Sequence, residues 1–335
     1  MKPVIGVTMG DAAGIGPEVC LKAAVSPALK SCRVAIIGSA EVLRKTAGGL
    51  KMVVEVSPAG GIKEMKFKKG TVDVLDLGGV SVSKLKTGMP SAMCGQASVD
   101  YIKKAVSLAQ AGGIDAIATA PISKHSVFMA GIHYAGHTEL LEEICGRRAV
   151  MAFAAGSFRV ALVSRHIPLA RVPGFLSWNR IVETVKVLYD SREDFGLKKP
   201  SFALLSVNPH AGEGGVLGAE DQKKTAPAVQ MIRKLNIKAD GPFPADGFFG
   251  SGKYGDYDFT VAMYHDQGLI PYKMNSFGKG VNITVGLPVV RTSADHGTGY
   301  DIAGRGIAEE GSMAAAVKLA AAISEKRRKK AAGKL

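Results

Sequence analysis

No stretch of this 335-residue chain stays apolar for the ~20 residues that a membrane-spanning helix needs without meeting a charge or a turn residue. The opening MKPVIGVTMGD moves straight into a short strand and turn. It lacks the apolar stretch and small-residue cleavage site of a secretory signal, so neither a membrane nor an exported protein is expected. Cysteine is sparse: Cys20, Cys32, Cys94 and Cys145 are scattered and form no CxxC, which favours a cytoplasmic protein with reduced thiols. One tryptophan and 6% aromatic residues leave little for base stacking. No zinc-finger, helix-turn-helix or RNP-like signature is present either. The net charge of +14 is therefore a weak case for nucleic acid and a better one for anionic substrates drawn to a cleft. Part of that charge lies in one run, Glu325 to Lys330, at the end of an Ala-rich helix expected from Met313, where cations suit a helix C-terminus. The chain also lacks a Rossmann fingerprint and a Walker lysine. Its first turn, Gly10 to Glu18, spaces its glycines G-x-x-x-G-x-G, with Pro17 and Glu18 supplying ordinary helix-start chemistry. A helix start there would still suit a phosphate, with Asp11 the residue of interest.

What is present is an alternation of short apolar strands and amphipathic helices, the pattern of an α/β fold with parallel sheets. Strands are expected at Val4–Thr8, Arg33–Ile37, Met52–Val56, Thr71–Leu77, Ile114–Ala118, Phe202–Val207 and Phe259–Met263. Helices are expected at Gln96–Ala111, Asn179–Asp190 and Asp221–Leu235, and a hairpin turning at Gly156-Ser157 between Ala149 and Ser164.

Three histidines each follow a strand-like run: His166 after VALVSR, His210 after SFALLSVNP and His265 after DFTVAMY. In α/β folds the residues just past strand ends build active sites. Any one of these histidines alone is more readily a strand cap or a backbone hydrogen-bond partner. Together they make a set of neutral imidazoles suited to one divalent metal. Polar groups gather in further segments. Gly136-His137-Thr138-Glu139 opens a helix with Thr138 as its expected cap, and Asn208 to Gly215 is a glycine-rich loop in which Glu213 would orient His210 or be solvated. In Tyr264 to Gly268, the turn decides whether Asp266 supports His265. Lys273, Lys279, Asn282 and Arg291 add groups for a phosphate or carboxylate, and Arg291 stands out because it follows the apolar GLPVV.

GDAAGIGPE, GHTE, NPHAGE, MYHDQG, GKGVNIT and GLPVVRTSADHGT occur in one order, and in combination they resemble the 4-hydroxythreonine-4-phosphate dehydrogenase family of pyridoxal phosphate biosynthesis from Gly6 to about Leu319. The resemblance implies an isocitrate/isopropylmalate dehydrogenase-like fold of two α/β/α domains, 1–125 plus 295–335 and 126–294. The implied active site lies in the interdomain cleft and is completed by the second subunit of a homodimer. It implies His166, His210 and His265 as ligands of zinc, cobalt or magnesium, and His137, Thr138, Lys273, Asn282 and Arg291 as substrate contacts. The stretch from Asp295 through His296, Gly297, Thr298 and Asp301 is similar to the HG[ST]-x-x-DIAG segment that holds the adenosine part of NAD or NADP. The implied reaction oxidises the C3 hydroxyl of 4-phosphooxy-L-threonine and decarboxylates the β-keto acid, with Asp246 and Lys273 the candidate proton acceptors. No nucleic-acid or membrane partner is implied. Two departures stand out: Ala12 where the family usually has Pro, and Gly247 where it usually has Thr after the Asp. The second opens a sister substrate, 4-phospho-D-threonate or D-erythronate 4-phosphate. A phosphate acyltransferase, which shares the broad fold, is the more distant alternative.

Overall fold

A computed structural model describes residues 1–134, 136–276 and 278–333. The chain forms two compact units, one of Met1–Arg147 with Leu287–Leu335, the other of Arg148–Gly286. The chain thus leaves the first unit at 147, beyond the expected 125, and rejoins it at 287 where 295 was expected. Consequently His137, Thr138 and Arg291 belong to the first unit.

The first unit is built on six parallel strands: β1 (Val4–Thr8), β2 (Arg33–Gly38), β3 (Glu55–Ala59), β4 (Thr71–Asp76), β5 (Ala116–Thr119) and, from the returning chain, β12 (Arg291–Ala294). Their order is β3-β4-β2-β1-β5-β12. Ile5, Ile36, Ile37, Val74 and Ile117 are fully buried, as expected of strands covered on both faces, and each contributes ~1.5–3 kcal/mol. Helices α1 (Gly16–Ala24), α2 (Ala40–Gly49) and α11 (Gly311–Ala331) pack as one set, and α3 (Ala92–Gln110), α4 (Lys124–Met129) and α5 (His137–Cys145) as another. Helix α3 starts four residues earlier than its apolar pattern predicts, because Ser91 Oγ caps it by accepting from the Cys94 N–H. The strand expected at 52–56 lies instead at 55–59, since Val53 is fully exposed.

The second unit carries β6 (Val150–Ala155), β7 (Phe158–Leu162), β8 (Ser201–Leu205), β9 (Lys238–Phe243), β10 (Phe259–Ala262) and β11 (Val281–Val285), in the order β11-β6-β7-β10-β8-β9. The expected hairpin is β6–β7, antiparallel, and β7, β10, β8 and β9 run parallel. Its helices are α6 (Val172–Phe175), α7 (Trp178–Asp190), α8 (Ala226–Lys234), α9 (Ala245–Gly250) and α10 (His265–Ser276). The helix expected from Asp221 begins with a π turn over Asp221–Thr225 and continues as α8. Phe153, Phe158, Leu205, Phe248 and Tyr272 form the core of this unit.

Candidate functional site

All three expected histidines leave the carboxyl ends of neighbouring parallel strands: His166 follows β7, His265 follows β10 and His210 follows β8, with β10 in the middle. Two of the rings meet. His166 and His265 have ring centroids 5.6 Å apart at an interplanar angle of 45° and line a groove of about 330 Å³ with Arg165, Leu169, Tyr264 and Asp266. His265 is the first residue of α10, and that turn brings the Asp266 carboxylate to its ring, with Nδ1 and Oδ1 2.7 Å apart. When Nδ1 carries the proton it donates to the carboxylate, and the Nε2 lone pair is left for a ligand.

His210 is not assembled with this pair. Among the described residues no group of three or more His, Cys, Asp and Glu side chains is disposed to hold a metal ion. The pair suits one cation, and His210 stands on a loop of unusual backbone past the end of β8. Residues 210–214 all have positive φ, including the non-glycines His210 (52°), Ala211 (53°) and Glu213 (41°). Left-handed backbone costs L-residues ~1–2 kcal/mol each, so this loop is strained. Its entry is pinned by Asp221, 1% exposed, whose carboxylate accepts from the Val207 N–H (2.7 Å) and the Asn208 N–H (2.9 Å). Glu213 does not hydrogen-bond the His210 ring; it is exposed.

Residues without an obvious sequence signal complete the frame. The buried amide of Gln267 accepts from the Met263 N–H (2.7 Å) and donates to the Ser206 carbonyl (2.6 Å), tying the end of β10 to the end of β8. Gly268 lets α10 press onto β7, for a Cβ there would lie 2.6 Å from Val160. An amide set within the MYHDQG segment is the hint the sequence offers. Lys273, exposed, lies eight residues past His265, ~12 Å along the helix axis. Asp246 is exposed in the first turn of α9, and neither candidate proton acceptor lines the histidine groove. Asn282 stands on β11 opposite Phe153, and its Oδ1 is shielded from solvent without a hydrogen-bond partner.

The first unit holds a second constellation. Thr138 is not the cap of α5; Gly136 occupies that position, and the threonine is 1% exposed with Oγ1 unpartnered. His137, the first helical residue, also has a solvent-shielded, unpartnered Nε2. Arg291, 2% exposed, opens β12 and donates through a guanidinium N–H to Thr119 Oγ1 at 2.7 Å, at the carboxyl end of β5. Burial lowers the Arg291 pKa to about 9 despite the opposing charge of Glu139. Burial, reinforced by the Arg291 charge, also pushes the His137 pKa well below the ordinary imidazole value. A desolvated cation thus sits beside a neutral imidazole and a buried hydroxyl, which is the donor set of an anion site.

The first glycine turn serves structure. Asp11 is fully buried; its Oδ1 accepts from the Ala13 N–H (2.9 Å) and its Oδ2 from the Tyr300 hydroxyl (2.8 Å). Gly14 lies so close that a Cβ would fall 2.5 Å from the Thr298 carbonyl, which itself accepts from the Ile15 N–H. The turn therefore docks the 295–301 segment, and both Asp11 oxygens accept from the chain's own donors. In that segment Asp295 N–H donates to Ser312 Oγ (2.8 Å), His296 Nε2 is shielded and unpartnered, Thr298 is half-buried, and Gly297 and Asp301 are exposed.

A family model described as pyridoxal phosphate biosynthetic protein PdxA matches residues 30–320. A 4-hydroxythreonine-4-phosphate dehydrogenase of Desulforapulum autotrophicum is 42% identical over 327 residues, 96% of this chain and 95% of that protein. A Clostridium botulinum protein named, provisionally, a D-threonate 4-phosphate dehydrogenase is 36% identical over 98% of this chain and 99% of its own. The crystal structure of a 4-hydroxythreonine-4-phosphate dehydrogenase from Klebsiella pneumoniae superposes with a TM-score of 0.88 at 38% identity, covering 97% of this chain and 98% of that one. With sequence, motif order and fold in agreement over nearly its whole length, the chain belongs to the PdxA family of pyridoxal phosphate biosynthetic proteins.

Proposed function

We propose that this chain is a 4-hydroxythreonine-4-phosphate dehydrogenase, oxidising the C3 hydroxyl of 4-phosphooxy-L-threonine with NAD or NADP. Decarboxylation of the β-keto acid then gives 3-amino-2-oxopropyl phosphate and CO2. Family membership supports the reaction class. The observation that carries the substrate class is Arg291, a buried guanidinium whose pKa falls to about 9 beside neutral His137. Such a cation gains most from an anion that arrives without its water, and a guanidinium meets phosphate or carboxylate oxygens in pairs. His137 Nε2 and Thr138 Oγ1, both unpartnered, would hold the same anion. Asn282 would contact the substrate through its open Oδ1, and Lys273 would add a second cation.

His166 and His265 would hold a divalent ion such as zinc, cobalt or magnesium, with His210 as third donor. Such an ion, when bound, supplies a Lewis acid for the hydroxyl oxygen. Asp266 fixes the His265 tautomer, and Gln267 keeps the strand ends that carry His265 and the His210 loop in register. Asp295, His296, Gly297, Thr298 and Asp301 would take the adenosine part of the nucleotide, which when bound supplies the hydride acceptor. Asp246 and Lys273 are the candidate acceptors of the hydroxyl proton. The enzyme would work as a cytoplasmic homodimer.

A second substrate is favoured by Gly247. An added Cβ at this position meets nothing within 4 Å, so packing does not dictate the missing threonine. A hydroxy acid in place of the amino acid would suit a site with one fewer hydroxyl, and the Clostridium botulinum relative carries such a name. The deciding assay follows NAD(P)H formation from 4-phosphooxy-L-threonine and 4-phospho-D-threonate in parallel, with and without chelator. Turnover of the first, lost on chelation and restored by zinc, cobalt or magnesium, is expected. Turnover of the second alone would reassign the substrate, and silence on both would overturn the reading.

A further inference from the structure

Six of the chain's 43 lysines and arginines line one groove at the amino ends of strands in the first unit, away from Asp11 and Thr119 at their carboxyl ends. Lys2 precedes β1, Arg33 opens β2, and Lys68 and Lys69 precede β4. With Lys30 and Lys66 these side chains line one groove of about 640 Å³, a volume typical of small-molecule sites. Among the described residues, none of these six cations forms an ion pair. The acid lining the groove, Asp73, is 3% exposed, and its two oxygens accept from the Lys66 N–H (3.2 Å) and the Phe67 N–H (2.8 Å).

That carboxylate is spent on shaping the wall. It holds the Lys66–Lys69 segment through a left-handed Phe67 (φ 49°), whose ring lies 5.4 Å from the Arg33 guanidinium carbon. Lys66, Lys68 and Lys69 therefore stand on an anchored segment. The basic end of α11 adjoins them: Arg328 donates to the Met1 carbonyl (3.1 Å), next to Lys2, and pairs with Asp115 (2.5 Å). Like charges around one concavity raise one another's energy, and a multivalent anion relieves all of them together.

We propose that this groove binds a compact oligophosphate anion, independently of the catalytic reading above. Its concave form suits a small soluble phosphate better than the flat headgroup plane of a bilayer. Equilibrium dialysis of the full-length protein against tripolyphosphate at low salt tests this. A site that persists in Arg291→Ala is expected, weakened at least ~10-fold between about 0.01 M and 0.15 M salt because the contacts are ionic and exposed. The double substitution Lys68→Gln/Lys69→Gln should weaken binding by a similar factor. Lys68→Arg/Lys69→Arg, which keeps the charge, should bind as the native chain does, and Arg291→Ala should leave the affinity unchanged. Absence of binding would overturn the proposal, as would loss in the arginine pair, or loss in Arg291→Ala with retention in the glutamine pair. Cosedimentation with phosphatidylserine vesicles without tripolyphosphate binding would instead assign the face to membrane lipid and also overturn it.

Discussion

Arg291 and His137 divide one electrostatic task. Arg291 stays charged in a buried place, and that same charge helps keep His137 neutral. Replacing Arg291 with alanine should weaken the phosphorylated substrate by about 2–4 kcal/mol, the range for truncating one partner of a desolvated charge pair. An unchanged KM in steady-state assays would remove the residue from the site. Lysine at 291 should recover only part of the loss, since it keeps the charge without the paired donors. For His137 the folded pKa lies below the unfolded value near 6.5, so the unfolded chain binds the extra proton as the pH falls. Its contribution is fully present above that value and is lost as the pH drops toward the folded pKa, at up to ~1.4 kcal/mol per pH unit. A His137→Asn variant should therefore show a flatter decline of melting temperature below pH ~6.5. An identical slope in both proteins would mean that the imidazole titrates normally.

The His210 loop and the clamp beneath it explain what the sequence pattern could and could not reveal. Strands β7, β8 and β10 are readable because short, mostly apolar runs fill positions buried on both faces. That placed His166, His210 and His265 past the strand ends. The left-handed backbone at Ala211 and Glu213 is not readable, because neither residue type favours it, and it sets the path of the loop that carries His210. Strand β9 escapes notice because Gly241-Pro242 reads as a turn, whereas an edge strand tolerates proline. Helix α10 escapes because Pro271 interrupts it and its apolar residues form no stripe, with Leu269 buried but Ile270 exposed. Thr138 has the chemistry of a cap, yet it lies two positions past the cap and is turned inward. Removing the loop's anchor with Asp221→Ala leaves the Val207 and Asn208 N–H groups unanswered and should cost about 3 kcal/mol in urea unfolding. Ala211→Gly should do the reverse, stabilising by about 0.5–1 kcal/mol through relief of left-handed strain. A destabilised Ala211→Gly would show that the loop is not strained.

The two-unit organisation was legible only through the order of motifs, since no linker or composition shift marks the crossings at 147/148 and 286/287. Net charge was legible at once, and it carries a consequence for the whole molecule. At +14 the chain presents a positive field to any phosphorylated substrate, and that field acts on encounter rather than on chemistry. Screening shortens from a Debye length of ~30 Å at 0.01 M salt to ~8 Å at 0.15 M, so distant lysines contribute at the first condition and barely at the second. If encounter limits turnover at low substrate, kcat/KM for the phosphorylated substrate should fall several-fold across that range while kcat stays constant. Arg291, being buried, is screened far less, so Arg291→Ala should lower kcat/KM at every salt concentration and leave the slope unchanged. The Lys68→Gln/Lys69→Gln variant should instead flatten the slope slightly and leave the high-salt value intact. A kcat/KM that is flat in salt would show that the excess charge does not steer substrate.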